Sequence, residues 1–149
     1  MNIIVASDHS GFEIKKILTK TLSDLGYVVT DMGPLEYNPQ DDYPDFIIPA
    51  AIKLSKDTSS NKGIFICRNG VGASISANKI KGVRCALTFA PNHAVSSVKD
   101  DNTNAIALPA DYIPQHELID IVKEWLNASF SNEERHNRRL SKFSELGSE

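Results

Sequence analysis

The sequence lacks most of what a membrane, an export route or a disulfide scaffold would need. No apolar run approaches the roughly 18–20 residues of a membrane span. Only two cysteines, Cys67 and Cys85, occur in 149 residues. Free thiols in a reducing, cytoplasmic setting are therefore the expectation. Excess positive charge is also missing. Sixteen Lys and Arg against nineteen Asp and Glu give a net charge of −3, which argues against a nucleic-acid or anionic-membrane surface. No cluster of His, Cys, Asp or Glu has metal-ligand spacing, so no metal is expected. There is no repeat, no low-complexity segment and no sign of a second domain. Residues 1–7 are apolar but have no basic lead and run into Asp8 and His9. They read as a first strand, not a signal peptide.

What is present is an ordinary globular composition, 41% hydrophobic and 23% charged, on a chain long enough to bury a core without staples. Apolar β-rich runs alternate with helical patterns, the mark of a parallel sheet covered on both faces. The predicted strands are 2–7, 27–31, 63–67, 84–89 and 105–109. The predicted helices are 11–25, 44–56, 73–80, 91–98 and 115–129, with a basic terminal helix over 133–146. Phe12, Ile14, Ile17, Leu18, Leu22 and Leu25 form the apolar stripe of the first helix. Pro44 sits where helices begin. The expected fold is a Rossmann-like three-layer α/β/α sandwich with a five-stranded parallel sheet, one domain over 1–149 plus a C-terminal helix. Ligands in such folds bind beyond the carboxyl ends of the strands. That rule selects Ser7-Asp8-His9, the turn after Cys67, and Phe89 to His93.

Three groups of residues carry candidate chemistry. The first is Cys67-Arg68-Asn69-Gly70-Val71-Gly72 ahead of a helix. Glycines let the backbone approach a ligand, and a helix N-terminus offers free N–H groups to a phosphate or an oxyanion. A cysteine beside such a turn sits in a field that favours its reactive form; the plainer reading is a tight turn with a buried cysteine. It is not a phosphate-binding P-loop, because the Gly-Lys-Ser/Thr ending is missing. The second is Asp8-His9-Ser10-Gly11, where Asp8 or Ser10 caps the first helix, contacts a polar ligand, or does both. The third is Arg135-His136-Asn137-Arg138-Arg139. Arg135 and Arg139, four apart, share one helix face and suit a phosphate clamp or a solvated basic face. Cys85 reads as core, and so does Trp125 with Leu118, Ile121 and Val122. His116 reads as surface, and His93 is open between surface and site.

Taken in order, Asp8-His9-x-Gly11-Phe12, Asp42-Tyr43-Pro44, Cys67-x-x-Gly70-x-Gly72-x-Ser74-Ile75, Ala77-Asn78-Lys79, Gly82-Val83-Arg84, Thr103-Asn104 and Arg135-His136-x-x-Arg139 span nearly the whole chain. The set resembles the ribose-5-phosphate isomerase B family, which includes the galactose-6-phosphate isomerase subunits. The resemblance implies a cofactor-independent aldose–ketose isomerase working through a cis-enediolate, with Cys67 as base. It implies backbone amides of about Asn69 to Gly72, including Gly70 and Val71, as oxyanion donors, with Asn78 helping at the same spot. Tyr43 and Asp8 would line the sugar site. His9, Arg135 and Arg139 would hold the phosphate, the arginines donated across the interface of a homodimer or homotetramer. Some family members use a glutamate at the position of Ala73; alanine there leaves Cys67.

Three departures from the family pattern stand out. Arg68-Asn69 replaces Gly-Thr/Ser, which puts a large cation and an amide beside the site. Asp100 stands where the family often has the histidine assigned to ring opening, leaving Asp100 or His93 for that step. Leu108-Pro109-Ala110-Asp111 replaces the usual Gly and Arg after the fifth strand. The leading expectation is interconversion of ribose 5-phosphate and ribulose 5-phosphate. The alternatives are another aldose phosphate, such as galactose or allose 6-phosphate, a non-catalytic sugar-phosphate binding subunit, or an unrelated nucleotide binder.

Overall fold

Alternation along each strand decides the architecture. On the first strand Ile3 and Val5 face one way and Ile4 and Ala6 the other, and both sets are fully buried. A strand buried on both faces needs helices above and below it. The computed structural model, which describes residues 1–144 and 146, has five parallel strands: β1 (Asn2–Ser7), β2 (Val28–Asp31), β3 (Asn61–Cys67), β4 (Cys85–Leu87) and β5 (Ala105–Pro109). Their order in the sheet is β2-β1-β3-β5-β4. The helices are α1 (Phe12–Asp24), α2 (Pro44–Ser55), α3 (Val71–Asn78), α4 (Pro91–Asp101), α5 (Gln115–Asn127) and α6 (Glu134–Ser141). Side chains of α1, α4 and α5 pack with Ile3, Val5, Ile64, Ile66, Ile106 and Leu108. Those of α2 and α3 pack with Ile4, Ala6, Phe65, Cys67, Ala105 and Ala107. The expected three-layer sandwich is therefore the observed one. The strand order reverses its direction of growth between β1 and β3, so their carboxyl ends open a crevice.

Several boundaries differ from the sequence expectation, each for a local reason. Helix α1 is preceded by a 3₁₀ turn, His9–Gly11, because the Asp8 carboxylate accepts the Ser10 and Gly11 N–H groups. Helix α3 starts at Val71, not residue 73, because Gly70 takes a left-handed conformation (φ 74°) that turns the chain into the helix two residues early. Strand β4 is three residues long, not six, since it lies at the sheet edge and pairs with β5 alone. Helix α4 runs three residues further than predicted, to Asp101, where left-handed Asn102 (φ 50°) ends it. Helix α6 covers 134–141 of the predicted 133–146, and residue 145 lies outside the described residues.

Two polar features hold the frame. Trp125, fully buried on α5, donates its indole N–H to Thr103 Oγ1 at 3.0 Å, and Ser97 Oγ shares that hydroxyl. Lys15, 1% exposed on α1, donates to both carboxylate oxygens of Asp31 and to Pro34 O (2.9 Å). All three donors of its ammonium are therefore used, as a buried cation requires. This pins the end of β2 and the start of the following loop beneath α1. Replacing Asp31 with Ala strands that cation in the core. The variant is expected to lose about 3 kcal/mol of folding free energy, read as a lower urea midpoint at unchanged slope.

Candidate active site

The crevice is built from four chain segments. At the end of β1, Ser7 pairs in register with Ile66, and the Asp8 N–H bonds Ile66 O at 3.3 Å. Asp8 thus stands beside Cys67, one strand spacing away. Asp8 is 5% exposed. Burial pushes its carboxyl above the usual range, and the Gly11 and Ser10 N–H groups and His9 work against that rise. His9 follows, with its backbone N–H on Asp41 Oδ1 (2.9 Å) and its ring Nδ1 on the same oxygen (2.7 Å). That ring bond lifts the imidazole above its ordinary value, against partial desolvation.

At the end of β3, Cys67 is 3% exposed and enters the glycine turn. Asn69 Oδ1 accepts the Val71 N–H (3.0 Å) and so braces the first residue of α3 with its oxygen, not its Nδ2. The N–H groups of Gly70, Gly72 and Ala73 have no partner among the described residues. Three converging backbone donors beside a thiol can receive an anionic oxygen. The Arg68 side chain is tied to Asp111 (Nε to Oδ2, 3.0 Å), and the backbone N–H groups of Ala110 and Asp111 bond Cys67 O and Arg68 O. The segment after β5 therefore continues the β3–β5 pairing under the turn.

The loop from β2 to α2 closes the other side. Tyr43, just before α2, lays its phenol directly over Gly72: a Cβ there would fall 2.8 Å from Cε1 and Cε2. Gly72 is thus required by close approach, and Gly70 by its φ of 74°, where a Cβ would also meet Leu87 Cδ1 at 2.5 Å. The two cysteines separate here. Cys85 is buried at the start of β4, and burial pushes its thiol far above the ordinary value.

One chain does not bring all the sequence candidates together. His93 lies on the same rim, at the start of α4, stacked on Phe89 (4.5 Å between centroids) with Nδ1 3.2 Å from Thr88 Oγ1. Asp100 lies near the other end of α4 (Pro91–Asp101), about 10 Å from His93 along the helix axis at a rise of about 1.5 Å per residue. There its carboxylate faces the buried His136 (3.8 Å), which also bonds Ser131 (2.8 Å). Helix α6, with Arg135 and Arg139, docks at that same far end. Asp100, Arg135 and Arg139 are therefore grouped together and remote from Cys67 within a chain. Arg135 pairs with Glu133 (2.8 Å), while Arg139 has no carboxylate within 4.0 Å among the described residues. The Asn78 carboxamide accepts the Cys85 N–H (2.9 Å) and donates to Cys85 O (2.8 Å) and Ser74 O (3.0 Å), so it also holds the edge strand β4 to α3. Asp41 escaped the sequence reading because it adjoins Asp42 of the recognisable motif, and no spacing rule separates the two.

A profile of the family described as ribose/galactose isomerase matches residues 3–143. The chain belongs to the ribose/galactose isomerase family. It is a sugar-phosphate isomerase by that membership. A Mycoplasma genitalium protein named probable ribose-5-phosphate isomerase B is 40% identical over 141 residues, covering 95% of this chain and 92% of that one. Ribose-5-phosphate isomerase B of Mycobacterium tuberculosis is 33% identical over 140 residues, covering 94% and 86%. The crystal structure of the Mycoplasma genitalium enzyme with bound ribulose-5-phosphate superposes with a TM-score of 0.96 at 38% identity, covering 99% of this chain and 97% of that one.

The Tyr43–Gly72 contact gives a direct test. Gly72→Ala is expected to displace the phenol and lower kcat/KM for a sugar phosphate by about ten- to a hundredfold. The thermal midpoint should fall by only a few degrees, since the ring tip can move.

Proposed function

We propose that this chain interconverts ribose 5-phosphate and ribulose 5-phosphate through a cis-enediolate, without a cofactor, and that Cys67 is the base. The observation that carries the reading is Cys67 at the mouth of a turn with three unpartnered backbone N–H groups, in a fold shared with a relative crystallised with ribulose-5-phosphate. The chemistry follows from that arrangement. Cys67 Sγ takes the C2 proton of the open-chain aldose, and the electron pair forms the C1–C2 double bond. The charge that develops on O1 is met by the amides of the turn. The O2 proton passes to O1, which keeps it as the C1 hydroxyl, and the negative charge moves to O2; as the C2–O2 bond closes to the ketone, the double-bond electron pair takes the proton back from the Cys67 thiol at C1. Asn69 Nδ2 donates to the reacting hydroxyls, Asp8 and Tyr43 line the sugar, and His9 binds the phosphate.

The second half of the site comes from another copy of the chain. Arg135, Arg139 and Asp100 share one end of α4, and in a homodimer or homotetramer they would meet the Cys67 rim of the neighbour. Ile48, Ile52, Val71 and Ile75 leave an exposed apolar face near that rim (39–57% exposed), which suits burial against a second subunit. The arginines would clamp the phosphate in two-pronged fashion, and Asp100 would open the furanose ring, with His93 as the alternative on the same rim as Cys67. No helix among the described residues is long and apolar enough to cross a membrane, and a cytoplasmic location is part of this proposal. The Arg68–Asp111 pair favours one variation, a different aldose phosphate such as galactose or allose 6-phosphate, because it puts a cation where the family has glycine.

Turnover of ribose 5-phosphate beside a panel of other aldose phosphates tests the reading. The wild type should prefer ribose 5-phosphate, and Cys67→Ala should fold yet lose at least about a hundredfold in kcat. Preference for another sugar moves the substrate and keeps the mechanism. Binding without turnover makes the chain a binding subunit. A mixture of Cys67→Ala and Arg139→Ala chains, refolded together, should regain activity that neither has alone, because one site of each mixed dimer is intact. No recovery would sink the shared site.

A further inference from the structure

His9 is held in an unusual way for a surface-rim histidine. One oxygen of one carboxylate, Asp41 Oδ1, accepts both its backbone N–H (2.9 Å) and its ring Nδ1 (2.7 Å). The two bonds fix main chain and ring together, so neither the imidazole's position nor its rotation is free. Asp41 is itself 7% exposed along its side chain, against 31% for His9. Its second oxygen, Oδ2, is buried with no hydrogen-bond partner among the described residues. A carboxylate that gives up solvent and leaves one oxygen unmatched costs stability. The fold therefore tolerates an unfavourable group in order to keep it against His9. The groups facing the ring are Asp41 from the β2–α2 loop, Asp8 from the end of β1, and the Tyr37 ring edge at 6.5 Å.

We propose that Asp41 is the positioning residue for the phosphate end of the site: by engaging Nδ1 it fixes the His9 tautomer and aims the Nε2–H of the imidazolium at the substrate's phosphate. This rests on the sugar-phosphate reading above. With Nδ1–H committed to Asp41, the neutral ring carries its proton on Nδ1, and only the imidazolium has an Nε2–H to donate. The adjacent carboxylate extends the pH range over which that imidazolium persists, because it raises the His9 value. The sign follows: phosphate binding is full below the raised value and is lost as pH rises through it. Removing the Asp41 charge moves that loss to lower pH. The motif residue Asp42 does not take part in these bonds; its neighbour does.

The test uses the full-length protein, with Asp41→Asn and Asp41→Ser as two independent removals of the charge. In wild type, nitrogen-15 shifts of the His9 ring should show Nδ1 protonated in the neutral form and a midpoint above about 6.5. In the variants the midpoint should fall. KM for the sugar phosphate at pH 7.5 should rise about tenfold, as for loss of a charge-assisted hydrogen bond, with kcat within about twofold. The basic limb of kcat/KM should shift to lower pH. A wild-type neutral tautomer protonated on Nε2 would overturn the proposal without any variant needing to fold. A folded variant with unchanged KM, or one that loses kcat alone, would overturn it as well. Inorganic phosphate, followed through the same ring signals, separates this idea from the enzymatic reading. If no sugar is turned over, the function fails, while weaker phosphate binding in the variants still supports the positioning role. Equal phosphate affinity in wild type and variants refutes it.

Discussion

The contact that most of the site depends on is the close approach of Tyr43 to Gly72. Both residues are fixed by other demands. Gly72 sits in the first turn of α3, which starts there because Gly70 adopts a left-handed φ and Asn69 Oδ1 accepts the Val71 N–H. Tyr43 sits just before α2, and the loop leading to it is tied to the end of β1 through Ser7 N–H on Gly33 O and through Asp41. Where the phenol meets the glycine, the two halves of the crevice lock together. Were a Cβ present at residue 72, the phenol tip would have to move aside, and Tyr43 would no longer lie over the turn. The left-handed backbone of Gly70 and the missing side chain of Gly72 thus set where the turn and the loop meet.

Much of this was legible in the sequence because the signals were periodic or compact. Strand alternation and helix stripes marked five strands, six helices and the layered fold, since burial on both faces writes itself into consecutive apolar residues. The Cys67–Gly72 turn was legible because two glycines, Gly70 and Gly72, stand between an apolar strand run and a helical pattern, where the chain must turn tightly. The Asn78 bonds to Cys85 were not, because they hold a backbone segment that no side-chain pattern marks. Asn104 is a similar case: its carboxamide accepts the Arg84 N–H and donates to Gly82 O, so a residue of a recognisable motif serves the fold. Position along a helix matters as well: Asp100 and His93 are close in sequence, yet α4 carries them toward opposite ends of the strands.

The departures from the family pattern read differently once the structure is in hand. Arg68 and Asp111 are two separate substitutions in sequence and one ion pair in space. Both are well exposed, so the pair adds little to stability. Its effect is local, since it holds the Arg68 guanidinium against Asp111. The backbone pairing of residues 110 and 111 with the turn persists whatever those side chains are.

The buried Lys15–Asp31 pair constrains how this sequence can change over time. The Lys15 ammonium alone is costly in the core, so loss of the half-buried Asp31 carboxylate leaves it stranded. A simultaneous apolar replacement of both is close to neutral in comparable buried pairs. The two positions are therefore coupled, and the route from the ionic to the apolar arrangement crosses a valley. Replacing the pair by apolar side chains therefore takes two changes made together, since loss of the carboxylate alone strands the ammonium.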